Sequence, residues 1–175
     1  NKFKIALDLQ EHRGPDDSDI IENNKFTFGH RRLSIIDLAS HARQPMTSNC
    51  GNYTLVFNGE IYNYQELKKD LQVKGYIFNT SSDTEVLLNS YIEYGIDCID
   101  QFIGMFAFGI HDEINEVTYI VRDRLGIKPL YYYQDNSKFI FSSEIKSILA
   151  LEDLEKKINL DAISSYMSFR YPILN

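Results

Sequence analysis

Apolar positions along the chain switch between helical spacing and two-residue alternation, and the switches mark the elements. Residues 2–10 (KFKIALDLQ) set Phe3, Ile5, Ala6 and Leu9 at near-helical spacing, so the sequence is expected to open inside a helix. That helix has no N-cap here, which points to a preceding segment. Gly14 and Pro15 break the period and make 13–17 a loop. Residues 26–36 and 53–57 read as strands; in the second, Tyr53, Leu55 and Phe57 face one way and Thr54 and Val56 the other. A helix is predicted over 61–73, with Tyr64, Leu67 and Leu71 on one face. Another starts at Ser82-Asp83-Thr84-Glu85, a capping box in which Ser82 accepts from the Glu85 amide and Glu85 reaches back.

Four strand-like runs follow, at 105–110, 117–122, 128–134 and 139–142. The first carries Met105, Phe106, Ala107, Phe108 and Ile110, apolar on both faces, and such a strand is buried on both sides. Residues 144–149 and 161–168 are predicted helical, and 169–175 reads as a linker. Short connections between strands imply antiparallel pairing. The fold class expected is α+β: two sheets packed face to face with helices outside.

Composition narrows the function. The 175 residues, 43% hydrophobic and 13% aromatic, fit one domain with a real core. No run approaches the roughly 20 apolar residues of a membrane helix, and no signal peptide is visible, so a cytoplasmic protein without a membrane partner is expected. The net charge of -7, with basic residues clustered at most in pairs such as Lys68-Lys69, argues against nucleic acid. Cys50 and Cys98 lack CxxC spacing and read as free thiols. His12, His30, His41 and His111 lack metal spacing, and no metal site is expected.

Two stretches carry candidate chemistry. Asn58-Gly59-Glu60 follows an apolar strand and precedes a predicted helix, so it reads as a strand-to-helix turn. An Asn amide with a Gly N–H is a sound donor pair for a developing oxyanion, and Gly lets a substrate approach the backbone closely. From the tripeptide alone an ordinary turn outweighs a site, since Asn-Gly is a common turn signal. In 29–37 (GHRRLSIID), alternation puts Arg32, Ser34 and Ile36 on one face and Arg31, Leu33 and Ile35 on the other. An Arg in an apolar strand is costly unless it meets a carboxylate. Asp37, Glu60 or a ligand could supply it, and by itself the internal salt bridge is the better reading. Asp83 sits in a first helical turn, where the dipole favours an anion; capping explains it without a ligand.

Seven motifs in order lift these residues together: Arg13-Gly14-Pro15-Asp16-Asp17, the run 30–37 (HRRLSIID), Gln44-Pro45-Met46, 58–63 (NGEIYN), Ser82-Asp83-Thr84-Glu85, 104–108 (GMFAF) and 122–131 (RDRLGIKPLY). The series is similar to the glutaminase domain of glutamine-dependent asparagine synthetases, from Arg13 to about Leu149 and weakly beyond. The resemblance implies an N-terminal-nucleophile hydrolase, a four-layer αββα sandwich here lacking its opening strand. It implies a domain over 1–150, N-terminally truncated, and over 151–175 the start of a linker towards a synthetase domain.

The resemblance also assigns roles. Arg32 would clamp the α-carboxylate of glutamine with two parallel bonds, Asp83 would hold its α-ammonium and Glu60 would help fix the bound amino acid. The backbone of Leu33, Ser34, Ile35 and Ile36 would line the same pocket, and the Asn58 amide with the Gly59 N–H would form the oxyanion hole. The 13–17 and 122–130 stretches would be architectural. Family chemistry starts from a cysteine at the first position of the mature chain, with its own α-amino group as base. A thioester forms and is hydrolysed to release glutamate and ammonia. Position 1 here is Asn1, so this sequence is expected to be inactive as it stands. Cys50 does not fill the role, because an internal cysteine lacks the α-amino base and cleavage before it would discard Arg32.

The partners implied are glutamine and a C-terminal synthetase domain in cis, with a homodimer left open. ATP and Mg2+ belong to that second domain, which activates aspartate, and no cofactor is expected in this one. Two other readings stand beside it: an amidotransferase domain with a different acceptor, such as a surface sugar, and a non-catalytic glutamine-binding module. An encoded Met-Cys-Gly start upstream of Asn1 would separate the enzyme from the module.

Overall fold

In the computed structural model, which describes residues 2–33, 43–152, 154 and 158–171, the centre is a pair of long antiparallel strands. Strand β4 (Tyr53–Ile61) runs against β5 (Gly104–Asp112) in register from Tyr53↔Asp112 to Ile61↔Gly104. β3 (Met46–Thr47) and β6 (Val117–Arg122) flank them, giving the order β3-β4-β5-β6. One face of this sheet carries Leu55, Phe57, Ile61, Phe106, Phe108 and Ile110, all buried. That face packs on α2 (Tyr64–Val73) and α3 (Asp83–Tyr94), whose Leu67, Leu71, Val86 and Leu87 complete the core.

The other face carries Thr54, Val56, Asn58, Ala107 and Gly109, and a second β layer lies on it. β1 (Asp17–Glu22) and β2 (Thr27–Arg32) form one hairpin, and β7 (Tyr131–Gln134) and β8 (Phe139–Ser142) another. Gly109 of β5 lacks a side chain because a Cβ would strike the ring of Phe141, and Phe28 meets Phe141 edge-on at 5.8 Å. Outside this layer sit α1 (Lys2–Asp8) and α4 (Ile145–Leu151), joined by the Ser147 hydroxyl donating to the Ala6 carbonyl at 2.8 Å. Phe3 and Leu7 of α1 cover Gly29 of β2. The order is helix, sheet, sheet, helix, the layering expected of the sequence. α5 (Leu160–Phe169) has no buried residue.

Several expectations are corrected. The second β layer is two separate hairpins rather than one sheet, among the described residues. β1 was not foreseen, and its first residue, Asp17, was placed in the 13–17 loop; its sequence, DSDIIE, is polar at its start and shows no alternation. Asn58-Gly59-Glu60 is not a turn but the last part of β4, and the helix expected from Ile61 begins at Tyr64. Gly59 and Gly104 are required by strand pairing: a Cβ on Gly59 would strike the Met105 carbonyl, and one on Gly104 the Glu60 carbonyl. The capping box closes on one side only. Ser82 Oγ accepts from the Glu85 amide at 3.4 Å, but the Glu85 carboxylate takes the N–H groups of Asn79 and Thr80 instead of that of Ser82.

The stretches expected to be architectural are so. A Cβ on Gly14 would strike the Arg31 backbone, so the 13–16 loop lies flat on β2. Asp123 accepts from the amides of Phe106, Ile127 and Lys128, and the Arg122 guanidinium donates to the carbonyls of Gly126 and Lys128. The close approach of β4 to β5 has a direct consequence. Gly104→Ala is expected to destabilise the protein by about 1–3 kcal/mol through overpacking. An unchanged midpoint in chemical denaturation would refute that approach.

Candidate active site

Hydrogen-bond parity along β4 determines which groups its open edge presents. The Tyr62 N–H donates to the Ile103 carbonyl at 2.7 Å, so Glu60 and Asn58 are the hydrogen-bonded partners of Met105 and Ala107. Backbone groups of Phe57, Gly59 and Ile61 therefore turn away from β5 to the other edge. Among the described residues β3 covers that edge only opposite Thr54 and Leu55. Beyond β3, side chains replace a strand. The Phe57 N–H donates to Gln44 Oε1 at 2.6 Å, the Phe57 carbonyl lies 3.2 Å from His30 Nε2, and the Ile61 N–H donates to Asp83 Oδ2 at 3.0 Å. Between these capped positions lies Gly59, whose N–H faces the same edge.

Asp83 opens α3 and is only 5% exposed. Burial pushes its carboxyl above the usual range, opposed by the N–H groups of Ile61, Thr84 and Asp83 itself, and Glu60 adds a raising, like-charge contribution. A buried carboxylate beside a second carboxylate favours an incoming cation such as an ammonium. Gln44 spans the gap: its amide Oε1 takes Phe57 and its Nε2 donates to Thr84 Oγ1 at 3.3 Å, tying α3 to the β4 edge.

On the inner face of β4, Asn58 points into a cleft of about 850 Å3 between the two hairpins. Its lining includes Phe28 and His30 of β2, Phe141 of β8, Ser143, and Asn58 and Ala107 below. β2 and β8 contribute, while their partners β1 and β7 contribute nothing to the lining. Asn58 Nδ2 donates to Ser143 Oγ at 3.3 Å. His30 is held neutral: burial, with the nearby Arg32 charge, drives its pKa from 6.5 to about 4, against the pull of the Phe57 carbonyl and Asp17. With Nε2–H donating to Phe57, Nδ1 is left buried and without a hydrogen-bond partner among the described residues.

The two arginines occupy successive positions at the end of β2, which alternation assigns to opposite faces. Arg31 points to α1 and pairs with Asp8 at 2.6 Å, a structural role. Arg32 shares the face of Phe28 and His30, towards β4, and is paired in register with Asp17. Leu33, just past the end of β2, has an exposed side chain. Ser34, Ile35, Ile36 and Asp37 lie outside the described residues. Asn58 and His30 are brought together in the cleft, and Gly59, Glu60 and Asp83 along the neighbouring edge. Gln44, His30 and Ser143 were not foreseen as site residues. Gln44 stood inside a motif, but a side chain that substitutes for a strand leaves no periodic signal.

Neither cysteine belongs to the site. Cys98 is fully buried, which pushes its thiol up to about 12. Cys50 is exposed in the turn before β4, its Sγ 3.2 Å from Ser48 Oγ, a contact that lowers its pKa. Among the described residues no group of three or more His, Cys, Asp and Glu is placed to hold a metal ion, and no helix is long and apolar enough to cross a membrane.

A four-layer αββα sandwich with amide donors and carboxylates gathered at one strand edge is the architecture of an N-terminal-nucleophile hydrolase. A family model described as a glutamine amidotransferase domain matches residues 1–174, and the chain belongs to that family. It is 44% identical over 159 residues to "Asparagine synthetase [glutamine-hydrolyzing] 3" of Bacillus subtilis, covering 90% of this chain and 26% of that protein. It is 41% identical over 191 residues to "Putative asparagine synthetase [glutamine-hydrolyzing] 2" of Methanocaldococcus jannaschii, covering 98% and 36%. The chain thus spans about a quarter to a third of these relatives. Among solved structures, the glutamine phosphoribosylpyrophosphate amidotransferase of Bacillus subtilis superposes with a TM-score of 0.61 at 27% identity, over 71% of this chain and 29% of that one.

The neutral His30 makes stability depend on pH in a defined direction. In the unfolded chain it titrates near 6.5, in the fold near 4, so between those values the unfolded state holds the extra proton. Its contribution is full above pH 6.5 and drains away as pH falls towards 4. Denaturation at pH 7.5, 6 and 5 should show the native protein losing stability faster than His30→Gln on acidification. Parallel profiles for the two proteins would show that His30 is not held neutral.

Proposed function

We propose that this domain binds glutamine at the open edge of β4 and hydrolyses it to glutamate and ammonia, for transfer of the amide nitrogen to aspartate. The observation that carries the reading is the convergence of the Gly59 N–H, the Asn58 amide and the buried Asp83 carboxylate within one short stretch of edge and cleft. Asp83 with Glu60 suits an α-ammonium, and Arg32, on the β2 face turned to the site, suits an α-carboxylate. Gly59 N–H and the Asn58 amide suit the oxyanion of a tetrahedral intermediate. The names of the relatives, asparagine synthetases, support aspartate as acceptor. On this reading an ATP- and Mg2+-binding synthetase domain lies in cis, in the part of the protein to which the relatives' further length corresponds.

The nucleophile comes from outside the residues described. Neither Cys50 nor Cys98 lines the cleft, and the cleft itself is lined from β2 and β8, between which one further strand could bond to each. On this reading a strand carrying the attacking thiol occupies that gap and presents it above Asn58.

Glutamine hydrolysis by the full-length protein, followed as glutamate and ammonia, tests the assignment. Asn58→Ala should lower kcat by about 2.7–4 kcal/mol of transition-state stabilisation with KM little changed. Arg32→Ala should act mainly on KM, at a cost of about 2–5 kcal/mol, because the clamp holds substrate and transition state alike. Arg31→Ala, whose partner is Asp8, should lower stability instead. Equal kinetic losses from Arg31 and Arg32, or an Asn58 variant as fast as the native protein, would sink the reading.

A further inference from the structure

The side-chain amide of Asn58 is useful to an oxyanion only if it is aimed before the charge develops. The last torsion of an Asn side chain is broad and two-fold, so an untethered amide samples orientations that present its oxygen instead of its nitrogen. Such an orientation would repel the intermediate. One tether is present. Ser143, the residue after β8, accepts a hydrogen bond from Asn58 Nδ2 at 3.3 Å, linking the two β layers across 85 residues of sequence. Fixing one N–H of a planar amide fixes the plane and the direction of the other. Neighbouring hydroxyls are committed elsewhere: Ser142 Oγ accepts from Gln10 Nε2 and from the Glu144 amide, both at 3.2 Å, and Ser147 Oγ donates to the Ala6 carbonyl. Both ends of the Asn58–Ser143 bond line the cleft.

We infer that Ser143 is a positioning residue for the oxyanion hole, holding the Asn58 amide so that its second N–H points at the developing charge. This rests on the glutaminase reading above. Ser143 touches no reacting atom; it acts through Asn58 alone, and that makes the inference separable.

The experiment measures kcat and KM for glutamine hydrolysis by the full-length protein carrying Ser143→Ala, Ser143→Thr, Ser142→Ala, Asn58→Ala and the Asn58→Ala/Ser143→Ala pair. Misaiming a group by about an ångström costs on the order of a hundredfold in rate, so Ser143→Ala should lose about ten- to a hundredfold in kcat with KM nearly unchanged. Ser143→Thr keeps the hydroxyl and should recover most of that rate. Ser142→Ala should lower the melting temperature and leave kcat alone. In the Asn58→Ala background, Ser143→Ala should add nothing, because the group it aims is gone. If the alanine variant does not fold, Ser143→Cys, close in size and a poor acceptor, should show the same kcat loss. Full kcat in a folded Ser143→Ala or Ser143→Cys protein, with Asn58→Ala impaired, would overturn the inference and leave the glutaminase reading standing. Independent, multiplicative losses in the pair would overturn it too. Normal kcat in Asn58→Ala would bring down the glutaminase reading itself.

Discussion

The open edge of β4 is the constraint from which the site follows. A strand edge buried without partners is costly, because each unsatisfied N–H or C=O forfeits its hydrogen bond to water. Covering the edge with another strand would satisfy it but close it to a ligand. This fold takes a third course. Among the described residues β3 covers only the far end, and beyond it Gln44, His30 and Asp83 satisfy Phe57 and Ile61 one group at a time. Those side chains come from a loop, a strand of the other layer and a helix N-terminus, so three separate segments are registered on one edge. The N–H of Gly59, framed by these capped neighbours, is thereby set in a place built to within a hydrogen-bond length.

The same arrangement explains the charges. His30 must donate to a carbonyl in a buried place beside Arg32, and remaining neutral lets it do so at the least electrostatic cost. Asp83 is the opposite case. Its carboxylate is paid in backbone N–H bonds rather than by a cation, and Glu60 raises its pKa further. Such a site is poised: satisfied enough to fold, yet still favouring positive charge. On the proposed reading that bias sets Asp83 apart from a simple helix cap, and it is not visible in the local sequence, where both read as an acidic residue in a first helical turn.

What could be read from the sequence was what one segment determines alone. The two-sided apolar run that became β5, the amphipathic α2, the Ser82 cap and the opposite faces of Arg31 and Arg32 all rest on local period or local chemistry. Misreadings came where a partner segment decides. Asn58-Gly59-Glu60 has turn composition, but its glycine answers the backbone of β5, which lies nearly fifty residues downstream. β1 is polar and becomes a strand because β2 pairs with it. Ser143 and Gln44 were illegible as site residues for the same reason: each acts on β4 from a distant part of the chain, through a single hydrogen bond.

Position of the cleft carries the last step. On the proposed reading, Glu60 and Asp83 hold the glutamine ammonium along the β4 edge, Arg32 of β2 holds its carboxylate, and the transition state is met at Asn58 and Gly59. A nucleophile has to reach the same point from above, and the space above is bounded by β2 and β8, each already paired on its other side. A single strand between them would satisfy both edges and fill the cleft lined by Phe28, Ala107 and Phe141. On the proposed reading, the group that attacks the substrate therefore arrives on an element the fold needs for its own hydrogen bonding. Folding and activity are then coupled through one strand: whatever loosens its pairing with β2 or β8 moves the thiol relative to Asn58 as well as uncovering the core.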